Sequence, residues 1–176
     1  MAHSFFTIGH STRTTDEFVD LLRSQQVGLV VDVRTVPRSR TNPQFNRDTL
    51  PDSLASHQIG YEHIASLGGL RGKQRVAEPS VNAFWENISF RNYADHALTA
   101  EFRAGLELLR GLGAERRVAI MCAEAVWWRC HRRIIADYLL AAGDTVYHIL
   151  GPGKVENARM TPAARPAPGG GLVYSP

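Results

Sequence analysis

Lysine is nearly missing from this chain: of its 20 basic residues, 18 are arginine and only Lys73 and Lys154 are lysine. Arginine presents a planar fork of donors that grips oxyanions in a bidentate way, so an anionic small molecule or nucleotide is the expected partner, with nucleic acid a further candidate. Codon composition produces the same bias without function, so only arginines gathered near a site carry weight. Cysteine is equally scarce, with two in 176 residues. That excludes a disulfide framework and suits a reducing compartment. No apolar run approaches the ~18 residues of a membrane span, and His3 and Ser4 stand where a signal peptide would carry basic residues. These absences predict a cytoplasmic protein with no membrane partner. Hydrophobic residues at 44% and charged residues at 21% fit a globular chain, of a length suited to one domain.

Short apolar runs alternate with helical patterns. Phe5 to Ile8, Val27 to Val33, Ile59 to Ile64, Val118 to Met121 and Thr145 to Leu150 read as five strands. Thr14 or Thr15 caps a helix with Phe18, Leu21 and Leu22 on one face, and Asp48 to His57 makes a short helix. Tyr93 to Leu112 reads as one long amphipathic helix ended by Gly111 and Gly113. Ile134, Ile135, Tyr138 and Leu139 mark another, stopped at Gly143. Residues 76–92 show no regular pattern. Strands alternating with helices predict an α/β fold, a single three-layer Rossmann-like domain with a mostly parallel sheet of about five strands. The domain spans 1–150. A Gly/Pro-rich tail, 151–176, is expected to pack on it as a strap, since ten of its 26 residues are glycine or proline.

In a parallel sheet, ligands bind beyond the carboxyl ends of the strands. Past four of these strands lie Gly9-His10-Ser11, Asp32 with Arg34, the basic turn Gly68-Gly69-Leu70-Arg71, and Cys122 with Glu124. Both cysteines flank one polar turn, together with His131 and Arg132. Cys122, between a strand and a helix and near arginines, is either a thiolate nucleophile or a small inert core residue. Cys130, four residues before Ile134, is expected to face the core. His131 and His10 are candidate acid or base groups, or else structural hydrogen-bonders. Glu124 is the orienting carboxylate. Asp32 is a base, a metal ligand or a second orienting carboxylate, or else simply the ion-pair partner of Arg34 or Arg40. Arg34, Arg38, Arg40, Arg71 and Arg132, with Gly9, Ser11, Gly68 and Gly69, are candidate substrate-binding positions. Cys122 to Arg129 has the layout of the anion loops of cysteine phosphatases and sulfurtransferases, one residue longer and with Glu124 inside it.

Several motifs resemble a prokaryotic family known as domain of unknown function 488, or DUF488. They are TIGHS at Thr7 to Ser11, LVVDVR at Leu29 to Arg34, PRSR at Pro37 to Arg40, YEHIASLGGLR at Tyr61 to Arg71, MCAE at Met121 to Glu124 and CHR at Cys130 to Arg132. The resemblance spans most of the chain and implies an α/β fold with a polar pocket built from these motifs; it implies no particular reaction. The tail departs from the pattern at Asn157, where relatives are expected to show histidine.

Taken together, the residues point to an enzyme, a thiol-dependent hydrolase or transferase acting on an anionic, phosphorylated or nucleotide-like substrate. A non-catalytic nucleotide or nucleic-acid binding module is the alternative. A Cys/His metal or redox site formed by Cys122, Cys130, His131 and His10 ranks third. No resident cofactor or metal is expected.

Overall fold

The alternation of side chains along the strands sorts the core into two halves. In the computed structural model, which describes residues 2–74 and 79–176, β1 (Ser4–Gly9), β2 (Leu29–Asp32), β3 (Gly60–His63), β4 (Val118–Cys122) and β5 (Thr145–Gly151) run parallel. A sixth strand, β6 (Lys154–Asn157), pairs antiparallel with β5, and the order across the sheet is β3-β2-β4-β1-β5-β6. On one face Phe6, Ile8, Val30, Ala119 and Met121 pack against α1 (Thr15–Ser24) and α2 (Leu50–Ala55). On the other, Phe5, Val31, Val118, Ile120 and Cys122 pack against α3 (Ile88–His96), α4 (Ala100–Glu115) and α5 (Arg132–Ala141). Each large apolar side chain so enclosed contributes roughly 1.5–3 kcal/mol. The three-layer α/β arrangement agrees with the sequence.

Local signals account for the element starts. Thr14 caps α1 through a reciprocal pair: its Oγ1 accepts from the Glu17 amide, and Glu17 accepts from the Thr14 amide.

Two expectations are corrected. The single helix predicted over Tyr93 to Leu112 is two. Thr99 caps a new helix, its Oγ1 accepting from the Phe102 amide at 3.3 Å, while the apolar spacing continues across the break. Nor do Gly111 and Gly113 end it, because α4 runs on to Glu115. Gly113 instead lets the helix lie against the Phe5 ring, where a Cβ would overlap the aromatic carbons. Within 76–92, read as irregular, α3 begins at Ile88 and a 3-10 helix covers Pro79–Asn82; residues 76–78 lie outside the described residues.

The tail supplies the strand beyond the five expected. Gly153, at φ 67°, closes the hairpin between β5 and β6. Farther on, β7 (Ala164–Pro166) and β8 (Leu172–Tyr174) form a small antiparallel pair. Tyr174 is fully buried; its Oη donates to Asp137 at 2.8 Å and its amide donates to Asn82 at 3.0 Å. Among the described residues no helix is long and apolar enough to cross a membrane.

Candidate active site

Period-two alternation puts Cys122 on the same sheet face as Val118 and Ile120, beneath the start of α5. The chain then loops through residues 123–131 and returns Cys130 directly above it. The two sulfurs are 2.7 Å apart, both free thiols. Arg132, 1% exposed, runs inward beneath them. Its Nε donates to Cys122 at 3.0 Å and to Cys130 at 3.4 Å, Nη1 to Thr7 Oγ1 at 3.0 Å and Nη2 to the Glu124 carbonyl at 2.7 Å. The Arg132 amide adds a contact to Cys130 at 3.4 Å.

His131 completes the group. Its Nε2 lies 2.7 Å from the Val33 carbonyl and must donate to it, which leaves Nδ1, 3.4 Å from Cys130, facing the sulfur. The ring is held between Tyr93, with centroids 5.0 Å apart, and the backbone at Gly69, where a Cβ would overlap the imidazole.

The sulfurs therefore share protons unequally. Burial raises the Cys122 thiol well above its usual range, and the neighbouring Cys130 raises it further. At Cys130 burial acts in the same sense but is outweighed: the hydrogen bond from Cys122, then His131 and Arg132, hold its thiol well below the usual range. The two shifts run in opposite directions, up at Cys122 and down at Cys130, so of the two sulfurs Cys130 is the one that more readily carries the thiolate.

Both cysteines line a cavity of about 340 Å³ beyond the carboxyl ends of β2 and β4. Arg34, Arg38, Arg129 and Glu124 share its wall, with Tyr93, Phe90, Val36 and Leu70 as the apolar part. Three arginines and one glutamate thus lie among its lining residues.

His10 and Asp32 stand behind Arg34 and are absent from that wall. Asp32, fully buried, accepts from Arg34 Nε at 3.0 Å and Nη2 at 2.8 Å, and from Tyr61 Oη at 2.5 Å. Arg34 Nη2 also reaches the Phe45 carbonyl at 2.7 Å. His10 Nδ1 donates to the Ser11 carbonyl at 2.8 Å, so Nε2 accepts from Arg34 Nη1 at 3.3 Å. Burial lowers the His10 pKa and keeps the ring neutral, as that acceptor role requires. Four of the five Arg34 N–H groups are thereby engaged, which leaves one on Nη1. With both nitrogens occupied, His10 does not join the thiols as a ligand. Among the described residues no group of three or more His, Cys, Asp or Glu is placed to hold a metal ion.

The remaining predicted positions divide. Gly9 lets the Glu124 carbonyl cross it where a Cβ would overlap, and the Ser11 amide donates to the Ala123 carbonyl at 3.0 Å. Gly68 is crowded in the same way against Thr35. These three shape the loop. Arg71 points away, donating to the Gly68 and Ala65 carbonyls at 3.0 and 2.6 Å and pairing with Glu101 at 3.6 Å. Arg40 is exposed and lines no part of the cavity. Arg132 holds the sulfurs from below rather than facing the cavity.

Arg129, the end of the stretch that resembles an anion loop, lines the cavity, whereas Tyr93, Thr7 and His148 join the site without standing out as candidates in the sequence. Thr7 Oγ1 accepts from Arg132 and shares a hydrogen bond with His148 Nδ1 at 2.6 Å. His148 stacks on Trp127 with centroids 4.6 Å apart. The polar Thr7 inside the run Phe5-Phe6-Thr7-Ile8 was the available signal for this buried relay.

Comparison with curated proteins and with solved structures finds no match. A family model described as "Domain of unknown function DUF488" matches residues 14–139, which is 126 of the 176 residues and includes Asp32, Arg34, Cys122 and Cys130. With the match covering the greater part of the sequence and all but the first of the motifs at the strand ends, this chain belongs to the DUF488 family.

Proposed function

We propose that the protein is a thiol-dependent hydrolase or transferase whose substrate is a small anion, a phosphate ester or nucleotide in the first instance. One arrangement carries it: the Cys122–Cys130 pair at 2.7 Å, held by Arg132 and His131, opening on a cavity lined by Arg34, Arg38 and Arg129. A thiolate at neutral pH and a cationic pocket are what nucleophilic attack on an anion requires.

In this reading the nucleophile is Cys130 rather than the Cys122 favoured by sequence, because the partners of the pair concentrate negative charge there. Cys122 keeps a proton and donates it as a hydrogen bond. The sulfur of Cys130 forms a bond to the electrophilic phosphorus or acyl carbon while the bond to the leaving oxygen breaks. That oxygen takes a proton from solvent water, and Glu124 is the one carboxylate among the residues of the cavity wall. Water then attacks the thiol adduct, passes its proton to Glu124 and restores the thiolate. His131, its Nε2 fixed on Val33, sustains the thiolate. Arg38 and Arg129 bind the anion beside the free Nη1 hydrogen of Arg34, and Asp32 and His10 are positioning residues for Arg34.

Iodoacetamide labelling with peptide mapping across pH 6 to 9 tests this. The expected result is rapid alkylation of Cys130 from the acid end of the range, slowed by inorganic phosphate or a nucleoside monophosphate. Slow alkylation of both cysteines, with no protection by either anion, would overturn it.

A further inference from the structure

A single nucleophile has no use for a second sulfur at contact distance, yet this chain places both its cysteines at one spot. Cys122 ends a central strand hydrogen-bonded on both sides, to β1 and to β2. Cys130 closes an eight-residue step from it, after a short 3-10 helix and just before α5. Both residues line the same cavity and their sulfurs are 2.7 Å apart, so a reagent able to reach one sulfur is also within reach of the other. A disulfide bond is about 2.0 Å long, so closing the pair from 2.7 Å needs about 0.7 Å of approach. With only two cysteines in the sequence, no other intramolecular pairing competes.

We infer that Cys122 and Cys130 are a dithiol–disulfide couple that exchanges with a small anionic disulfide entering the cavity. Attack begins at Cys130: its sulfur forms a bond to one sulfur of the substrate disulfide, the substrate S–S bond breaks, and one thiolate leaves and takes up a proton. Cys122 then gives its proton to the surroundings and attacks the Cys130 sulfur. The mixed disulfide breaks, the Cys122–Cys130 bond forms, and the second thiolate leaves. Two protein thiols are oxidised and one substrate disulfide is reduced to two thiols, so atoms and electrons balance; the reverse sequence, driven by excess thiol, restores the dithiol. Arg38 and Arg129 favour a disulfide carrying carboxylates. Arg132, in contact with both sulfurs, stays beside whichever is the thiolate at each stage. The couple rests on the same thiolate as the proposed hydrolase or transferase. Oxidation would silence that activity by consuming its nucleophile.

The full-length protein is equilibrated with mixtures of glutathione and glutathione disulfide, quenched in acid, and read by intact mass and peptide mapping. Expected is a loss of two hydrogens per molecule, one cross-linked Cys122–Cys130 peptide, and recovery of both thiols as the mixture becomes reducing. Cys122→Ser should accumulate a single glutathione adduct on Cys130, and Cys130→Ser should form its adduct on Cys122 roughly tenfold more slowly. Two glutathione adducts on the wild-type protein, or two thiols that stay reduced in pure glutathione disulfide, would overturn the couple. The wild-type protein decides the question by itself, even if a serine variant fails to fold. Slow alkylation at Cys130 with a disulfide that still forms would remove the hydrolase or transferase reading and keep the couple; the opposite pattern would do the reverse.

Discussion

His131 joins the carbonyl of Val33, at the end of β2, to the sulfur of Cys130, at distances of 2.7 and 3.4 Å. The Val33 contact fixes the hydrogen on Nε2 and so aims Nδ1 at the thiol. His131→Gln should slow iodoacetamide alkylation of Cys130 at pH 7 by about tenfold, because a nearby imidazole that lowers a thiol's pKa is lost. Rates measured across pH would show the alkylation profile displaced to higher pH. An unchanged profile would mean that Arg132 sustains the thiolate unaided.

Arg132 should matter to folding as well as reactivity. Its guanidinium, 1% exposed, serves two sulfurs, Thr7 and the Glu124 carbonyl. Removing one partner of a buried charged network costs about 3–5 kcal/mol. Arg132→Met is therefore expected to lower the urea midpoint substantially and to abolish rapid alkylation at neutral pH, both read on the same preparation.

Asp32→Ala tests the support of Arg34 from below. Arg34, 7% exposed, would lose the carboxylate that accepts from its Nε, Nη2 and backbone amide, and Tyr61 would lose its acceptor. A loss of about 3–5 kcal/mol in chemical denaturation is expected, as for any broken buried ion pair. Protection of Cys130 by phosphate should weaken too, and a variant of undiminished stability would refute the positioning role.

Stability should fall in mild acid through His148. Burial, and then the charge of Arg132, push its pKa down to about 3 from an ordinary value of 6.5. Between those values the unfolded chain binds a proton that the native chain refuses, so stability is complete above pH 6.5 and declines as pH falls toward 3. The drop between pH 7 and 5 should be smaller in His148→Gln than in the wild type by about 1–2 kcal/mol, measured as urea unfolding at each pH.

The strand ends were legible because apolar runs announce buried strands and the residues that stop them are polar. Asp32, Arg34 and Cys122 stand out this way; Arg34 and Cys122 line one cavity together with His131, while Asp32 stands behind Arg34. Cys130 was harder. Its spacing from Ile134 correctly puts it against the core, at 6% exposure, but periodicity gives the direction of a side chain and not how far the packed face extends. The cavity begins where that face ends. Arg132 and Arg71 read as anion grips because both are charged and near the motifs; which arginines bend inward or back onto carbonyls depends on tertiary packing with residues as distant as Thr7. The break at Thr99 was masked by apolar spacing that continues through it.

The indole of Trp127 donates to Glu156 on β6 at 2.6 Å while its ring rests on His148 of β5. Glu156 and His148 both lie past residue 139, where the family match stops. The C-terminal hairpin is thus a latch on the loop that carries the thiols. Two relatives with identical motifs and different tails would hold that loop at different heights, and would present the same chemistry through differently shaped doors.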